Sequence, residues 1–282
     1  MKNFILTIDE KLNNKTVAQL LNHLKISRSL ITELKKGDFI RLNGNHVTVR
    51  AIAKTGDVFT VTIPETQKSD ITPVKGALDI LYEDEDILVV NKCANMPTHP
   101  TRRHLLDTLG NIVCGYMGDD FVFRSVTRLD RDTTGVVLIA KNRYAAERLN
   151  SQIRNNLIKK EYYGICVGKI IEGGEINTFI KRESPAKMKR IVADDGQWAQ
   201  TIYSPVSEHP KGTLVRLSPI TGRTHQLRVH MSHINHPLYG DYIYGEPIEG
   251  TRVLLHCKSI EFEDFKTNKI IRIEAPLPKD FK

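Results

Sequence analysis

The sequence has little of what membrane-spanning, disulfide-rich and zinc-binding proteins need. None of its apolar runs approaches the roughly 18 consecutive residues of a transmembrane helix. The N-terminus meets acidic residues at positions 9 and 10, too early for a secretory signal peptide. The four cysteines are far apart and form no C-x-x-C pair, which is typical of reduced thiols in a cytoplasmic protein and not of a zinc site.

The composition is that of an ordinary globular protein with a basic excess. The chain has 282 residues, of which 40% are hydrophobic and 26% are charged. This length favours one large domain with a smaller one beside it. A net charge of +8 suits a polyanionic partner, although a solvated basic surface with no nucleic-acid role fits the charge equally well.

The N-terminal quarter predicts two short helices followed by a small sheet. Apolar residues at positions 17, 20, 21 and 24 share one helix face, and Ser27 is placed to cap a second helix with apolar residues at 30, 31 and 34. Residues 39–42 and 47–49 read as a hairpin around the turn Asn43-Gly44, and residues 59–63 alternate as a further strand.

This segment resembles an S-four-like RNA-binding domain. The matching residues are Ile26-Ser27-Arg28-Ser29, Leu42-Asn43-Gly44 and Gly56-Asp57-Val58. Residues 1–66 contain ten Lys/Arg and six Asp/Glu, which is half of the net charge, and a small basic packing domain is the alternative. We therefore expect an RNA-binding domain at 1–66, a polar linker at 67–77 and a catalytic domain at 78–282.

Strands outnumber helices in the remainder and do not alternate with them one for one. Strands are predicted around 78–82, 87–92, 136–140, 159–168 and 213–217. A helix capped by Asn142 should bury residues 145, 146, 149 and 153, residues 178–198 form a loop or hairpin, and another helix follows residue 224. The fold class expected is α+β, with a mixed, mainly antiparallel sheet.

Three segments concentrate polar groups beside predicted strands or helices. The first is the loop Arg128-Leu129-Asp130-Arg131-Asp132, which by itself is more often a surface salt-bridge loop. The second is Tyr162, on a strand that begins with two lysines. The third is residues 222–230, where a glycine and an arginine at a helix start favour anion binding. His225 and His230 do not have metalloprotease spacing, so no metal site is expected.

Together these segments resemble the RluA/RluD-type pseudouridine synthases over roughly residues 78–278. Several motifs appear in the family's order: Tyr82-Glu83-Asp84-Glu85 with Val89-Val90-Asn91-Lys92, Arg128 to Gly135, Lys160-Glu161-Tyr162, Thr221 to His230, His236 to Asp241, and Leu255-His256. Two positions depart from the family pattern. Thr127 stands where histidine is usual, and Cys93 stands where proline is usual.

The resemblance implies isomerisation of a uridine within RNA, without cofactor or metal. The glycosidic bond breaks, the base rotates, and its carbon 5 bonds to the ribose. Asp130 would be the essential carboxylate, either as a nucleophile or as the base that removes a ribose proton. Arg228 would pair with Asp130 and keep it ionised. Tyr162 would stack on the target base.

The resemblance also implies a set of RNA contacts. Arg128 would fill the space left when the target base leaves its stack. The remaining substrate-binding residues implied are Thr134, Arg223, His225 and Gln226. Sequence-independent affinity would come from Arg28, Lys35, Lys36 and Arg41. The expected partner is RNA, with large-subunit rRNA favoured over tRNA, and the expected oligomeric state is a monomer.

Two other functions remain open from the sequence. A non-catalytic RNA-binding or ribosome-assembly factor could retain the fold, and the departures at Thr127 and Cys93 are its support. A hydrolase that uses an aspartate nucleophile on a small nucleoside is also compatible with Asp130. Such an enzyme would not need the basic N-terminal segment.

Overall fold

The structure is a computed structural model that describes residues 1–67, 69–118, 120–265 and 267–282. The helices are α1 (Val17–His23), α2 (Arg28–Leu34), α3 (Leu109–Met117), α4 (Arg143–Arg154) and α5 (Gln226–His233). The strands are β1 (Lys2–Thr7), β2 (Ile40–Leu42), β3 (Asn45–His46), β4 (Val58–Ile63), β5 (Ile80–Glu83), β6 (Ile87–Lys92), β7 (Arg124–Ser125), β8 (Thr134–Ala140), β9 (Lys159–Cys166), β10 (Gly174–Arg182), β11 (Arg190–Val192), β12 (Gln197–His209), β13 (Gly212–Pro219), β14 (Leu255–Glu263) and β15 (Ile270–Glu274).

The first 63 residues form a four-stranded antiparallel sheet in the order β1-β4-β2-β3. The apolar faces of α1 and α2 share a buried core with alternate residues of β4. Thr16 and Ser27 cap the two helices, because their hydroxyls accept the N–H groups of Gln19 and Leu30. The two predicted helices and the alternating strand are confirmed.

The predicted hairpin differs in its second strand. The turn is present, with positive φ at both Asn43 (52°) and Gly44 (80°), as a tight hairpin requires. The strand after it is Asn45–His46, and the prediction of a strand at 47–49 is wrong. The carbonyl of Val49 instead accepts the N–H of Ala18 (2.9 Å), since the first N–H groups of a helix have no partner within it.

The rest of the fold is built on an 11-stranded sheet. Its order is β11-β10-β12-β13-β9-β14-β8-β6-β5, with β15 beside β14 and β7 beside β8. Among the strand pairs of the described residues, β8 and β14 run parallel and the others antiparallel. The predicted α+β class with a mainly antiparallel sheet is confirmed. Because β14 separates β8 from β9, those two strands lie about 10 Å apart.

Helix α4 follows β8 and packs on the sheet. Its cap is Asn142, whose side-chain oxygen accepts the N–H of Ala145 (2.9 Å), as predicted. Ala145, Ala146 and Leu149 are buried, but Ile153 has 39% of its surface exposed, so its predicted place on the inner face is wrong. Ile153 lies in the last turn of the helix and lines the groove described below.

The small sheet is in contact with the large one. The ammonium of Lys2 lies 2.8 Å from the buried carboxylate of Asp86, next to β6. The hydroxyl of Tyr144 on α4 donates to the carbonyl of Leu24 (2.9 Å). No helix or strand lies in the described residues between Ile63 and Ile80.

Three general features follow from the side chains. The four cysteines are free thiols, as predicted, and Cys93 is the exposed one. In the ranges described above, no group of three or more His, Cys, Asp or Glu side chains is placed to hold a metal ion. No helix in the described part of the chain is long and apolar enough to cross a membrane.

Candidate active site

A groove of about 310 Å³ opens beside the start of β8 and the first half of β9. Its walls come from the loop before β8, from Lys160 and Tyr162 on β9, and from the segment that joins β13 to α5. The three polar segments singled out in the sequence therefore meet at one place. From this point the groove is called the active-site groove.

Asp130 lies in the loop before β8 and faces Arg228 on α5. Arg228 Nη1 donates to the Asp130 carboxylate at 3.3 Å. The Asp130 side chain keeps 32% of its surface exposed, whereas the Arg228 side chain keeps 4%. The structure thus brings the predicted carboxylate and guanidinium together, with the carboxylate accessible and the guanidinium beneath it.

Arg228 has a second partner that the sequence reasoning missed. Its Nε and Nη2 atoms donate to the two oxygens of Asp241 at 2.7 and 2.8 Å, and Asp241 is fully buried. Burial by itself would lower the pKa of the Arg228 guanidinium, but the hydrogen bonds and charge of Asp241, with the charge of Asp130, raise it. Arg228 is therefore a permanent cation that Asp241 anchors and Asp130 contacts.

His225 is the third group beside the carboxylate. It has a left-handed backbone (φ 57°) immediately before α5, which turns its ring so that Nε2 lies 3.7 Å from Asp130. Its Nδ1 lies 2.8 Å from the hydroxyl of Tyr244, and that hydroxyl accepts the backbone N–H of Arg190 (2.8 Å). Burial lowers the pKa of the imidazole, so His225 is neutral at pH 7.

Tyr162 lies on β9, with its side chain on the same face as Lys160 and lining the groove. Its ring is buried and its backbone is paired with Cys257 of β14. Burial raises the pKa of the phenol well above 10, and the neighbouring Cys257 adds to the effect. Tyr162 consequently keeps its proton at neutral pH, and its ring forms a rigid aromatic part of the groove wall.

A buried lysine holds the Asp130 loop in place. Lys92, at the end of β6, donates to the carbonyls of Cys93 (2.7 Å), Met96 (2.8 Å) and Arg131 (3.0 Å). Burial lowers the pKa of its ammonium to about 8. Since an ammonium has three donors, all of its protons are used, and the residue next to Asp130 is tied to a core strand.

Comparison with known proteins decides the family. Residues 86–233, more than half of the chain, match the family model described as RNA pseudouridylate synthase. The chain belongs to the RNA pseudouridylate synthase family. This confirms the predicted activity, that of an RNA pseudouridine synthase in the isomerase class, with RNA as its partner.

Individual relatives are similar to this chain over most of its length. An uncharacterized RNA pseudouridine synthase, YjbO of Bacillus subtilis (strain 168), is 39% identical over 272 residues, which are 94% of this chain and 96% of the relative. The ribosomal large subunit pseudouridine synthase D of Pseudomonas aeruginosa is 33% identical and covers 90% of this chain and 85% of its own. The solved structure of human RNA pseudouridylate synthase domain containing 1 is 28% identical, with a TM-score of 0.60 over 71% of this chain and 83% of its own.

The two departures from the family pattern are accommodated by the loops. Thr127 is buried, and its hydroxyl accepts the N–H of Leu138 (3.0 Å) in β8. Cys93 has an exposed thiol, and its carbonyl is one of the acceptors of Lys92. The residues that contact Asp130 in this synthase, Arg228 and His225, are present despite the two departures.

Two of the predicted RNA-contacting arginines reach the groove. Arg128 is exposed at its rim and donates to the hydroxyl of Thr224 (3.2 Å). Arg223 also lines the groove, and its Nε donates to the carbonyl of Trp198 (2.9 Å), which leaves the other guanidinium nitrogens toward solvent. Both arginines are exposed at the surface of the synthase beside the groove.

Two residues predicted to bind substrate have other partners. The side chain of Gln226 accepts from the hydroxyl of Thr221 and the N–H of Arg223, and donates to Gln200 and Thr201, so its polar atoms are already used within the protein. Its hydrogen bonds hold the 221–224 loop, and its predicted contact with RNA stays a prediction.

Thr134 is likewise not a groove residue. It is buried on β8, with its hydroxyl 2.8 Å from Nδ1 of His256 on β14. The neighbouring Thr133 lines the groove in its place, and its buried hydroxyl has no hydrogen-bond partner among the described residues. Thr133, and not Thr134, is the threonine that lines the groove, because the Thr134 side chain is directed toward His256 on β14. The predicted substrate contact of Thr134 stays a prediction.

The N-terminal cations differ in how free they are. Arg28, Lys35 and Lys36 are exposed on and after α2. Arg41 is exposed as well, but its guanidinium is in a two-pronged ion pair with Asp38. The first three therefore offer more charge to a polyanion than Arg41 does.

Proposed function

We propose that this synthase modifies uridines of large-subunit ribosomal RNA, with Asp130 as its catalytic carboxylate. The observation that carries the choice of residue is the accessible Asp130 carboxylate on a buried guanidinium that Asp241 anchors. The choice of RNA is supported by relatives from Pseudomonas aeruginosa and Xylella fastidiosa that are named ribosomal large subunit pseudouridine synthase D. They are 33% and 32% identical over 90% and 91% of this chain.

In this proposal the target nucleotide leaves its stack and enters the active-site groove, at a cost of a few kcal/mol. Arg128, exposed at the rim, takes the place of the departed base or bonds to its former partner. Arg223 and His225, which both line the groove, contact the flipped nucleotide and its backbone.

Asp130 then acts at the ribose or at the base. As a nucleophile it forms a bond that is broken again later, and as a general base it removes a ribose proton, and both routes suit a carboxylate. In either route the N1–C1′ bond breaks and the C5–C1′ bond forms, while the proton lost from C5 is matched by one gained at N1. Arg228 donates to Asp130 through Nη1, while Asp241 accepts from its Nε and Nη2, so the anchored guanidinium fixes the direction of the Asp130 carboxylate.

Tyr162 supplies a surface for the uracil ring. Because its phenol keeps its proton at neutral pH, we propose that it stacks on the base and does not act as a phenolate base. The proposed chemistry needs no metal or cofactor.

The N-terminal part supplies affinity. We propose the division into an S-four-like RNA-binding domain (1–66), a linker (67–77) and a catalytic domain (78–282), which act as a monomer in the cytoplasm. Arg28, Lys35 and Lys36 would bind phosphates without reading sequence, so that affinity falls as salt is raised.

The test is to delete the gene in the source organism and map pseudouridines in its rRNA and tRNA by carbodiimide-dependent stops of reverse transcription. We expect one or a few sites in large-subunit rRNA to disappear and to return with the wild-type gene but not with Asp130→Asn. Loss of a tRNA site alone would overturn the substrate, and return of the site with the Asn variant would overturn the role of Asp130.

A further inference from the structure

A second groove of about 370 Å³ lies against the active-site groove, on the side of the β10–β11 hairpin. It is lined by residues 180–182, Arg190, residues 195–197, Arg223 and Thr224. Arg223 and Thr224 also line the active-site groove, so the two spaces share a wall. Because the two grooves are adjacent, one strand of RNA can lie along both of them.

The second groove is strongly cationic. Its lining has four cationic side chains, Lys181, Arg182, Arg190 and Arg223, and one carboxylate, Asp195. That carboxylate is paired with Lys181 at 2.7 Å, which leaves three arginines without a neutralising carboxylate in the lining. Clustered arginines of this kind are suited to phosphate, because each guanidinium presents a planar fork of donors.

Arg190 is the partly buried arginine of this lining. Its Nε is buried and has no hydrogen-bond acceptor among the described residues. Arg190 as a whole is only partly buried, so its guanidinium is a cation in the wall of the groove that no carboxylate of the lining neutralises. The phosphate of an RNA backbone in the groove would supply that counter-charge.

The position of Arg190 relative to the reacting carboxylate is fixed. Its backbone N–H donates to the hydroxyl of Tyr244, which lies 2.8 Å from His225 Nδ1, and His225 Nε2 lies 3.7 Å from Asp130. The hairpin that carries the cationic groove is thus hydrogen-bonded to the residues around Asp130.

We propose that the second groove is a phosphate-binding subsite for the RNA backbone that flanks the target uridine, with Arg190 as its central ligand. The inference rests on the proposed function, since it assumes that the flipped nucleotide lies at Asp130. A phosphodiester oxygen would accept from the terminal nitrogens of the Arg190 guanidinium, while Arg182 and Arg223 bind the same or the next phosphate. The subsite contacts backbone only, so it adds affinity and directs the strand without selecting a base.

The test measures binding of a fluorescein-labelled oligouridylate of about 12 nucleotides to the full-length protein by anisotropy at several salt concentrations. The variants are Arg190→Gln and Arg182→Gln. The control is Arg216→Gln, because Arg216 is exposed on the sheet face opposite Leu217 and lines neither groove. A methylphosphonate oligomer of the same length serves as a probe without backbone charge.

We expect Arg190→Gln to weaken binding roughly three- to tenfold and to reduce the slope of log K against log salt by about 0.7, the value of one lost phosphate contact on a single strand. Arg182→Gln should act in the same direction, and the methylphosphonate probe should not distinguish Arg190→Gln from wild type. Equal affinity and slope for Arg190→Gln and Arg216→Gln would overturn the subsite. Failure of the wild-type protein to form pseudouridine in rRNA would instead overturn the proposed function, so the two failures are separable.

Discussion

Replacing Asp241 by asparagine should damage both stability and catalysis. In the native protein Asp241 accepts two hydrogen bonds from Arg228 (2.7 and 2.8 Å) and two from the backbone N–H groups of Ile243 (3.0 Å) and Tyr244 (3.2 Å). Asparagine has nearly the same volume, but its NH₂ group would face a donor, and the buried guanidinium would lose its main counter-charge. Removing one partner of a buried ion pair costs about 3–5 kcal/mol.

Part of that cost should be recovered in the variant. The remaining side-chain oxygen can still accept, and Asp130 lies 3.3 Å from Arg228 Nη1. We therefore expect Asp241→Asn to lower the free energy of unfolding by about 2–4 kcal/mol, a large share of the 5–15 kcal/mol of a typical domain. Urea unfolding followed by circular dichroism measures this directly, and the m-value should stay unchanged.

Asp280 provides the matched control. It forms a similar two-pronged ion pair with Arg252 (2.7 and 3.0 Å), but its side chain is 38% exposed. Because exposed pairs contribute little, Asp280→Asn should cost at most about 1 kcal/mol. Pseudouridine formation should fall in Asp241→Asn even at temperatures where it is fully folded, since Arg228 is no longer held against Asp130. Equal stability loss in the two variants, with full activity in Asp241→Asn, would refute the anchoring role.

Three further outcomes are expected. Lys92→Met removes the donor to three loop carbonyls, so the position of the Asp130 loop is no longer held. We expect kcat to fall at least about tenfold with little change in KM for RNA. An unchanged kcat would contradict the loop-holding role. Gly135→Ala should destabilise the protein by more than about 2 kcal/mol, because φ is +108° and the new Cβ would lie 2.1 Å from the carbonyl oxygen of Cys257. A midpoint of denaturation within error of wild type would contradict this expectation. Burial lowers the pKa of His230 and His256 from 6.5 to about 4, so the unfolded chain binds protons that the folded protein does not. The free energy of unfolding should therefore fall as pH drops from 6.5 toward 4, by at most about 3 kcal/mol for each residue, and His256→Gln should remove its share of the slope in pH-dependent unfolding.

Local patterns predicted most of the elements. The apolar periodicity and caps of α1, α2 and α4 are properties of neighbouring residues, and the uninterrupted apolar run of β8 is typical of a strand buried on both faces. Helix α3 was not predicted. Its signal was present in Thr108 and Asn111, whose side chains form a capping box.

The structure brings the predicted residues Asp130, Tyr162 and Arg228 to one groove and adds partners that the sequence did not indicate. The pairing of Asp130 with Arg228 came from the family resemblance, since no local pattern relates residues 98 positions apart. Asp241 and Tyr244 contact the site because the segment after α5 folds back onto that helix. Residue types alone do not predict this path of the chain. Gln226 is a different case, because the polar atoms of this side chain have hydrogen-bond partners inside the protein that its residue type does not reveal.

The most direct measurement compares wild type with Asp130→Asn on RNA transcribed with tritium at carbon 5 of uridine, since bond formation at C5 releases that hydrogen. The wild-type enzyme should release tritium from its substrate. Asp130→Asn should release it at least roughly 10³-fold more slowly while binding the RNA within a fewfold of wild-type affinity. Release by Asp130→Asn at a rate within tenfold of wild type would contradict a catalytic role for this carboxylate.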